Sequence, residues 1–336
     1  MTPRRQELDF YRAAAMLAVM LIHITSNFVL AETRFSAFGI NPAFLLNQVC
    51  RFAVPGFLLL SGVGLSLSRR EESYGAFIKR RMAKTLPAYL VWCAVYFLEK
   101  GDYSAGTLLV GLVTGNLAAH LYFIIILLQL YLLFPLLHRL AERRGAALTA
   151  VSLAVSLALQ SALYCLTTFG EPLTLPAGTK NCFLFWIFYF VAGMAIAQRP
   201  EKLDAALERA KRRRGLWALA FALLAVLLTA EGRATGSYGS NMRPLIFPYV
   251  IASFFCLAGT ADALLRRRSV SRTVSFLSRH SMSIYYVHVL ILDFTRRFAL
   301  FTTGMRGLCL TAVTVAALSI AAAAAIDRLR GRLRRG

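Results

Sequence analysis

Acidic residues are scarce in this sequence, and several motifs typical of soluble enzymes are missing. There are 16 Asp and Glu residues against 38 Lys and Arg residues, which gives a formal net charge of +22. The six cysteines show no C-x-x-C spacing, so they indicate neither a zinc site nor a disulfide framework and are typical of small packing residues. No Ser-His-Asp set, metal-ligand cluster or phosphate-cradling glycine loop occurs, so the sequence predicts no bound metal.

Long polar stretches are also missing, because 58% of the residues are hydrophobic and the mean hydropathy is +0.59. Apolar runs of about 18 to 23 residues recur along the chain, which is typical of helices that cross a bilayer. The predicted fold is an all-α, polytopic integral membrane protein with one transmembrane domain over residues 1–336. About ten spans are predicted, at residues 9–30, 43–68, 77–98, 118–138, 147–168, 181–198, 214–230, 244–265, 276–298 and 304–326. For the short, glycine-rich segment 104–117, a re-entrant or interfacial piece is an alternative to a span.

The basic residues form short clusters in every second loop between the apolar runs. The clusters lie near residues 4–5, 69–84, 139–144, 199–214, 266–272 and 328–335. By the positive-inside rule these loops and both termini are cytoplasmic, which predicts a multi-pass protein of the inner (plasma) membrane. Basic and aromatic residues do not interleave on a soluble face, so a nucleic-acid partner is not expected. The basic loop near 199–213 is predicted as an amphipathic helix on anionic membrane lipid.

The first span carries ionisable residues that need an explanation. Asp9 and Arg12 lie near its cytoplasmic start, and His23 follows Arg12 by eleven residues. Eleven steps of about 100° return to nearly the same helix face, roughly 16 Å further along the axis. Because ionisable groups inside a bilayer are costly, Arg12 and His23 are candidate functional residues, the histidine as a general base.

Three further residues share the outer half of the predicted membrane domain with His23. Arg51 in the second span lies at the depth of His23, roughly 10–12 Å below the outer surface, unless it lies higher and its side chain snorkels to water. His288 lies near the midplane of the ninth span, with Tyr285 and Tyr286 beside it. His120 opens the fourth span near the outer surface, where a hydrogen-bonded packing histidine is the alternative.

On the cytoplasmic side, Arg80, Arg81 and Lys84 form a basic cluster. Guanidinium and ammonium groups there suit the phosphates of a ligand, and a role in topology alone is the alternative.

Five segments, in this order along the chain, resemble the membrane-bound acyltransferase 3 family. Leu8, Asp9 and Arg12, followed after ten residues by His23, match the family's opening pattern. VPGFLLLSG (54–62), KRRMAKTLPAY (79–89), HLYF (120–123) and FLSRHSMSIYYVH (276–288) are similar to its later segments. Leu58, Ala88 and Tyr122 depart conservatively from the family's Phe, Pro and Trp, which leaves the subfamily open.

The resemblance implies transfer of an acyl group, commonly acetyl from acetyl-CoA, to a hydroxyl of a sugar or another cell-envelope acceptor. It implies that Arg12 and His23 are the functional pair. The chain is expected to be of the stand-alone type, without a fused esterase-like domain.

Together these observations give a mechanistic hypothesis in which acyl-CoA enters from the cytoplasm and its acyl end reaches His23. The predicted catalytic residues are His23 as general base, Arg51 as a stabiliser of developing negative charge, and His288. The predicted donor-binding residues are Asp9, Arg12, Arg80, Arg81 and Lys84; His120 and Tyr285 are predicted to contact the acceptor. The predicted partners are membrane lipids and an envelope glycan or lipid-linked sugar, and a homo-oligomer is left open.

The alternative function is export of a lipid-linked sugar or a small solute. The sequence offers few intramembrane carboxylates to couple protons and no internal repeat of the kind many transporters carry. A purely structural membrane subunit would leave Arg12, His23 and Arg51 unexplained.

Overall fold

The structure, a computed structural model, describes residues 5–31, 41–170, 174–297 and 304–333. These residues form α-helices and short 3-10 turns, with no strand among them, which confirms the predicted all-α class. The helices are α1 (Gln6–Ala31), α2 (Pro42–Val49), α3 (Ala53–Leu67), α4 (Tyr74–Lys100), α5 (Ala105–Thr114), α6 (Tyr122–Phe169), α7 (Ile187–Ile196), α8 (Pro200–Arg212), α9 (Arg214–Thr235), α10 (Ile246–Leu265), α11 (Arg268–Arg297) and α12 (Gly304–Leu333).

Six helical segments in the described residues are long and apolar enough to cross a membrane: α1, the run from α2 to α3, α6, α9, α10 and α12. One of them, α6, has 48 residues and a non-helical residue, Arg144 (φ −142°, ψ 47°). A straight helix of that length would measure about 72 Å, more than twice the hydrocarbon thickness of a bilayer. The break at Arg144 therefore separates the two predicted spans 118–138 and 147–168.

Four predicted segments differ from simple spans in the structure. The span predicted at 181–198 contains only the ten-residue α7, which follows two 3-10 turns. The segment 104–117 contains α5, whose ten residues measure about 15 Å and are too short to cross a bilayer. Helices α4 and α11 cover the spans predicted at 77–98 and 276–298, but they are not among the six apolar segments. A multi-pass membrane protein is thus confirmed, whereas the count of ten and the cytoplasmic termini stay predictions.

Parts of some predicted elements lie outside the described residues. They are residue 4 of the first basic cluster, residue 298 of the ninth span and residues 334–335 of the basic tail.

The chain divides into two compact units. The first unit comprises Pro55–Ala206 and Met242–Pro244. The second unit comprises Pro3–Val54, Leu207–Asn241 and Leu245–Gly336.

Within the second unit, α1 packs against four helices, α2, α10, α11 and α12. Its alanines and methionines let neighbours approach on several sides, and Tyr11, Ala15 and Met16 are almost fully buried. The Tyr11 hydroxyl lies 3.1 Å from the Ser253 hydroxyl on α10, and the Tyr11 ring packs edge-on against Phe254 at 5.3 Å. The helix that carries Arg12 and His23 is therefore the centre of its unit.

Within the first unit, α3 and α7 approach at a pair of glycines. A Cβ atom on Gly62 would overlap the carbonyl oxygen of Phe190, and a Cβ on Gly193 would overlap that of Leu59. Small residues allow such close backbone contact between membrane helices, where side-chain packing replaces the hydrophobic effect as the driving force.

Candidate functional site

Near the N-terminal end of α1, three polar side chains join α1 to α11. Nη1 of Arg12 lies 3.2 Å from Asp9 Oδ1 and 3.2 Å from Ser278 Oγ. The Ser278 hydroxyl donates to Asp9 Oδ1 at 2.6 Å. Asp9 is buried, whereas the Arg12 side chain keeps 35% of its surface exposed. The buried partners thus orient the Arg12 guanidinium, which is still accessible to a ligand.

Two histidines from the same pair of helices meet at the other end. The ring centroids of His23 on α1 and His288 on α11 are 5.2 Å apart, and the rings are tilted by 55°. His23 is half-buried and His288 is buried. The sequence predicts both histidines in the outer half of the membrane domain, and the structure brings their rings into contact.

The tautomer of His288 follows from its backbone contacts. Its Nδ1 lies 2.8 Å from the carbonyl oxygen of Tyr285 and 3.2 Å from that of Ile284. A carbonyl oxygen can only accept, so Nδ1 carries the hydrogen, and Nε2 is the accepting nitrogen of the neutral ring. The ring of Tyr285, which is itself buried, lies 6.1 Å from that of His288. The predicted contact of Tyr285 with an acceptor stays a prediction.

Arg51 lies in a 3-10 turn, Cys50–Phe52, that interrupts the second predicted span between α2 and α3. It is 4% exposed, so its guanidinium lies inside the protein and does not snorkel. Its Nε and Nη2 donate to Asn47 Oδ1 at 3.1 and 2.5 Å, and its Nη1 donates to the carbonyl oxygen of Gly239 at 2.8 Å. These contacts fix the arginine in one orientation.

Asn47 connects Arg51 to the helix of His23. Its Nδ2 donates to Thr25 Oγ1 at 2.9 Å and to the carbonyl oxygen of Ile22, the residue before His23, at 3.2 Å. The matching depth of Arg51 and His23 that the sequence predicts therefore has a structural basis in Asn47.

A second arginine lies at the same end of α1. Nη1 of Arg296 is 2.7 Å from Asp293 Oδ1, and its Nη2 donates to Asn27 Oδ1 at 2.6 Å. The α1–α11 contact is thus held by polar side chains above and below the histidine pair.

The other predicted site residues belong to the first unit. His120 is 2% exposed and packs edge-on against Tyr96, with ring centroids 5.3 Å apart. Arg80 forms an ion pair with Glu72, and this hydrogen bond holds the pKa of the Glu72 carboxyl below its ordinary value. Lys84 is exposed.

Arg81 lies over two aromatic rings, with its guanidinium carbon 5.6 Å from the ring centre of Phe77 and 5.9 Å from that of Tyr131. It also borders a cavity of about 90 Å³ with four other arginines. The residues that line this basic cavity are Leu65, Ser68, Arg69, Arg70, Glu71, Glu72, Tyr74, Phe77, Arg80, Arg81, Phe134, Pro135, His138 and Arg139. Its charge suits an anionic group, as the sequence predicts for Arg80 and Arg81.

Sequence reasoning missed Ser278 and Asn47, the two residues that orient Arg12 and Arg51. Ser278 lies inside the segment that carries the family resemblance, which is the one signal that pointed near it. Asn47 precedes Arg51 by one helical turn, and that spacing alone would allow the contact that the structure shows.

Comparisons with known proteins identify the family of the chain. Residues 5–326 match the family model described as an acyltransferase domain (acyltransferase 3). A probable poly-beta-1,6-N-acetyl-D-glucosamine export protein of Staphylococcus aureus (strain MSSA476) is 21% identical over 302 residues, 86% of this chain and 83% of that protein. The protein of the same description from Staphylococcus epidermidis is 22% identical over 306 residues, 87% of this chain and 82% of its own length. No solved structure matches the chain. Since the family model covers nearly the whole sequence, including Arg12, His23, Arg51 and His288, the chain belongs to the acyltransferase 3 family.

Proposed function

We propose that this protein transfers an acyl group, acetyl in the simplest case, from cytoplasmic acyl-CoA to a hydroxyl of a cell-envelope carbohydrate or lipid-linked sugar. The observation that carries the proposal is the arrangement along α1, where Arg12 and His23 lie about 16 Å apart on one face and each meets a polar side chain of α11. Membership of an acyltransferase family supports the reaction class.

In the proposed reaction His23 is the general base. A ring nitrogen of His23 takes the proton of the acceptor hydroxyl as the hydroxyl oxygen bonds to the thioester carbonyl carbon. The carbon–sulfur bond then breaks, and the proton leaves with the CoA thiol. His288, held by its Nδ1–H bond to the Tyr285 carbonyl, orients the His23 ring against which it packs.

Arg51 would stabilise the negative charge that develops on the thioester carbonyl oxygen. Its guanidinium is fixed by Asn47 and Gly239 before any substrate binds. Positive groups held in place in a water-poor site stabilise such charge without reorganising during the reaction.

The donor's phosphates are proposed to contact Arg12, which combines buried partners with an accessible guanidinium. The basic cavity of the first unit supports the same role for Arg80 and Arg81, and exposed Lys84 keeps its predicted role. Arginine suits phosphate because its planar fork donates two parallel hydrogen bonds.

Export of a carbohydrate is the second candidate function. It is favoured by the description of the Staphylococcus relatives as probable export proteins of a poly-N-acetylglucosamine. The same relatives support a carbohydrate as the acceptor in the enzyme proposal.

The test uses the purified full-length protein in detergent with acetyl-CoA and an envelope glycan. Acceptor-dependent release of CoA, with an acetyl mass added to the glycan, is expected for the wild type and is expected to be lost in His23→Ala. His280→Ala is the matched control and is expected to keep turnover, since His280 of α11 pairs with Asp327 of α12 and has no assigned role in the reaction. Full turnover by His23→Ala would remove the general-base role. Movement of glycan into liposomes without acyl-CoA would favour export.

A further inference from the structure

The apolar face of helix α8 is buried within the protein. Leu203, Leu207 and Ala210 are 0%, 3% and 1% exposed. A Cβ atom on Gly259 of α10 would lie 2.8 Å from the carbonyl oxygen of Ala210, so the backbones of α8 and α10 are nearly in contact within the second unit. The predicted amphipathic helix is therefore present, but its apolar face does not insert into lipid.

Lys211, near the end of α8, forms ion pairs with acidic side chains of the protein. Nζ of Lys211 lies 2.8 Å from Asp262, 2.9 Å from Glu208 and 3.2 Å from Glu7. Three carboxylates from α10, α8 and α1 thus neutralise this lysine and hold the end of α8 in place.

Three neighbouring arginines differ from Lys211, which is paired with three carboxylates. Arg209, Arg212 and Arg213 line a surface cavity of about 550 Å³ together with Trp217. Within the part of the chain that the structure describes, none of the three guanidinium groups makes a hydrogen bond or an ion pair. Trp217 is held by Phe255, with ring centroids 4.7 Å apart. Three convergent arginines around one cavity favour an anion that can accept several hydrogen bonds, such as phosphate.

The position of this cavity indicates the source of the phosphate. Helix α9, an apolar segment long enough to cross a membrane, begins at Arg214, directly after the arginines. An apolar stripe then continues along α9, where Leu216, Leu219, Leu223 and Val226 are 57%, 56%, 55% and 62% exposed. Their spacing of three and four residues places them on one helix face. A ligand that fits both parts has an anionic head and hydrocarbon chains.

We infer that the cavity formed by Arg209, Arg212, Arg213 and Trp217 binds the phosphate head group of an anionic membrane phospholipid, whose acyl chains lie along the apolar stripe of α9. This site goes beyond the acyl-transfer proposal, because none of its residues is among those assigned to donor, acceptor or catalysis. Tryptophan beside a basic cluster at the start of a span is typical of the interfacial zone of a bilayer.

The experiment is native mass spectrometry of the full-length protein in detergent, with phosphatidylglycerol and phosphatidylcholine as probes. The wild type is expected to retain phosphatidylglycerol in preference to phosphatidylcholine. The triple variant Arg209→Gln, Arg212→Gln, Arg213→Gln is expected to bind phosphatidylglycerol about a hundredfold more weakly, because each arginine near an anionic surface contributes roughly a factor of five.

The matched control is the triple variant Arg266→Gln, Arg267→Gln, Arg268→Gln. These exposed arginines connect α10 to α11 and carry the same charge, so the control is expected to bind phosphatidylglycerol as the wild type does. Equal losses in the two triple variants would overturn the proposal, since they would show a dependence on net charge alone.

Two measurements on the wild type keep the inference testable even if the first triple variant unfolds. Equal retention of phosphatidylglycerol and phosphatidylcholine would overturn it. Inorganic phosphate is expected not to displace phosphatidylglycerol at equal concentration, because it lacks the acyl chains. Displacement would identify a soluble anion as the ligand and would also overturn the lipid assignment.

Discussion

Arg12 illustrates how a charged side chain becomes useful at the edge of a membrane domain. Asp9 and Ser278 bind it from one side, and the remaining third of its surface is open. The serine also donates to the aspartate, so the three side chains hold one another in a single arrangement. The direction of the guanidinium therefore depends on a hydroxyl from another helix.

Replacing Ser278 with alanine tests this dependence. We expect the KM for acyl-CoA to rise several-fold in Ser278→Ala with a smaller change in kcat, because Arg12 loses one hydrogen-bond partner worth about 1 kcal/mol. Ser281→Ala is the control, since the Ser281 hydroxyl is equally buried and, among the residues that the structure describes, bonds only to the carbonyl oxygen of Ser278 in its own helix. Steady-state kinetics that show the same KM for both variants would contradict a positioning role for Ser278.

Asn47 is the second residue whose loss should be measurable. Asn47→Ala removes the oxygen that accepts two hydrogen bonds from the buried Arg51 and is expected to cost about 1–3 kcal/mol of stability. Thr25→Val is the milder comparison, because it removes one neutral partner of the same asparagine and keeps the side-chain shape. Thermal unfolding in detergent should give a lower Tm for Asn47→Ala than for Thr25→Val. The reverse order would show that Asn47 does not support Arg51.

At the scale of helices, the hydropathy pattern predicted where the helices lie along the chain better than it predicted whether each helix is continuous. The first span and the last lie within α1 and α12, and the break in α6 falls in the basic cluster that separates two predicted spans. The 3-10 turn at Arg51 and the shortness of α7 were not predictable, because both depend on partners distant in sequence. An apolar run has the same composition whether it forms one straight helix or a helix with a turn inside it.

The contact between α3 and α7 gives a prediction for this scale. Gly62→Ala is expected to lower the Tm, because its Cβ would overlap the Phe190 carbonyl and force the two helices apart. Gly64→Ala, two residues further along α3, has no atom within 4 Å of its Cβ and is expected to be neutral or stabilising by up to about 1 kcal/mol. Thermal unfolding of the two variants side by side measures the difference. Equal Tm values would mean that the close approach contributes little.

For the whole molecule, the arrangement of basic loops predicts an orientation that fusions can test. A fluorescent protein fused after residue 336 should be fluorescent, since the C-terminus is predicted to be cytoplasmic. Alkaline phosphatase inserted between α4 and α5, near Asp102, should be active, because that loop is predicted to face outward. Active alkaline phosphatase fused to the C-terminus would show that the C-terminus faces outward. The predicted orientation of the protein, and with it the proposed direction of acyl transfer, would then be reversed.

The candidate site was predictable from sequence only in part. The spacing of Arg12 and His23 on one helix face is a local property, so the sequence contains it. The contact of His23 with His288 joins residues far apart in the chain, and the sequence indicated no more than a similar depth. The orientations of the Arg12, Arg51 and His288 side chains depend on Ser278, on Asn47 and on two backbone carbonyl groups. No sequence pattern marks these partners.

The three carboxylates around Lys211 have a chemical consequence for the proposed use of a thioester donor. Burial lowers the pKa of this lysine, but the hydrogen bonds that its ammonium group donates to Asp262, Glu208 and Glu7 outweigh burial and raise the pKa above its ordinary value. Lys211 therefore stays an ammonium ion without the lone pair that attacks a thioester. Incubated with acetyl-CoA, the protein should accumulate spontaneous acetylation at exposed Lys79 and Lys84 and not at Lys211, as peptide mass spectrometry would show.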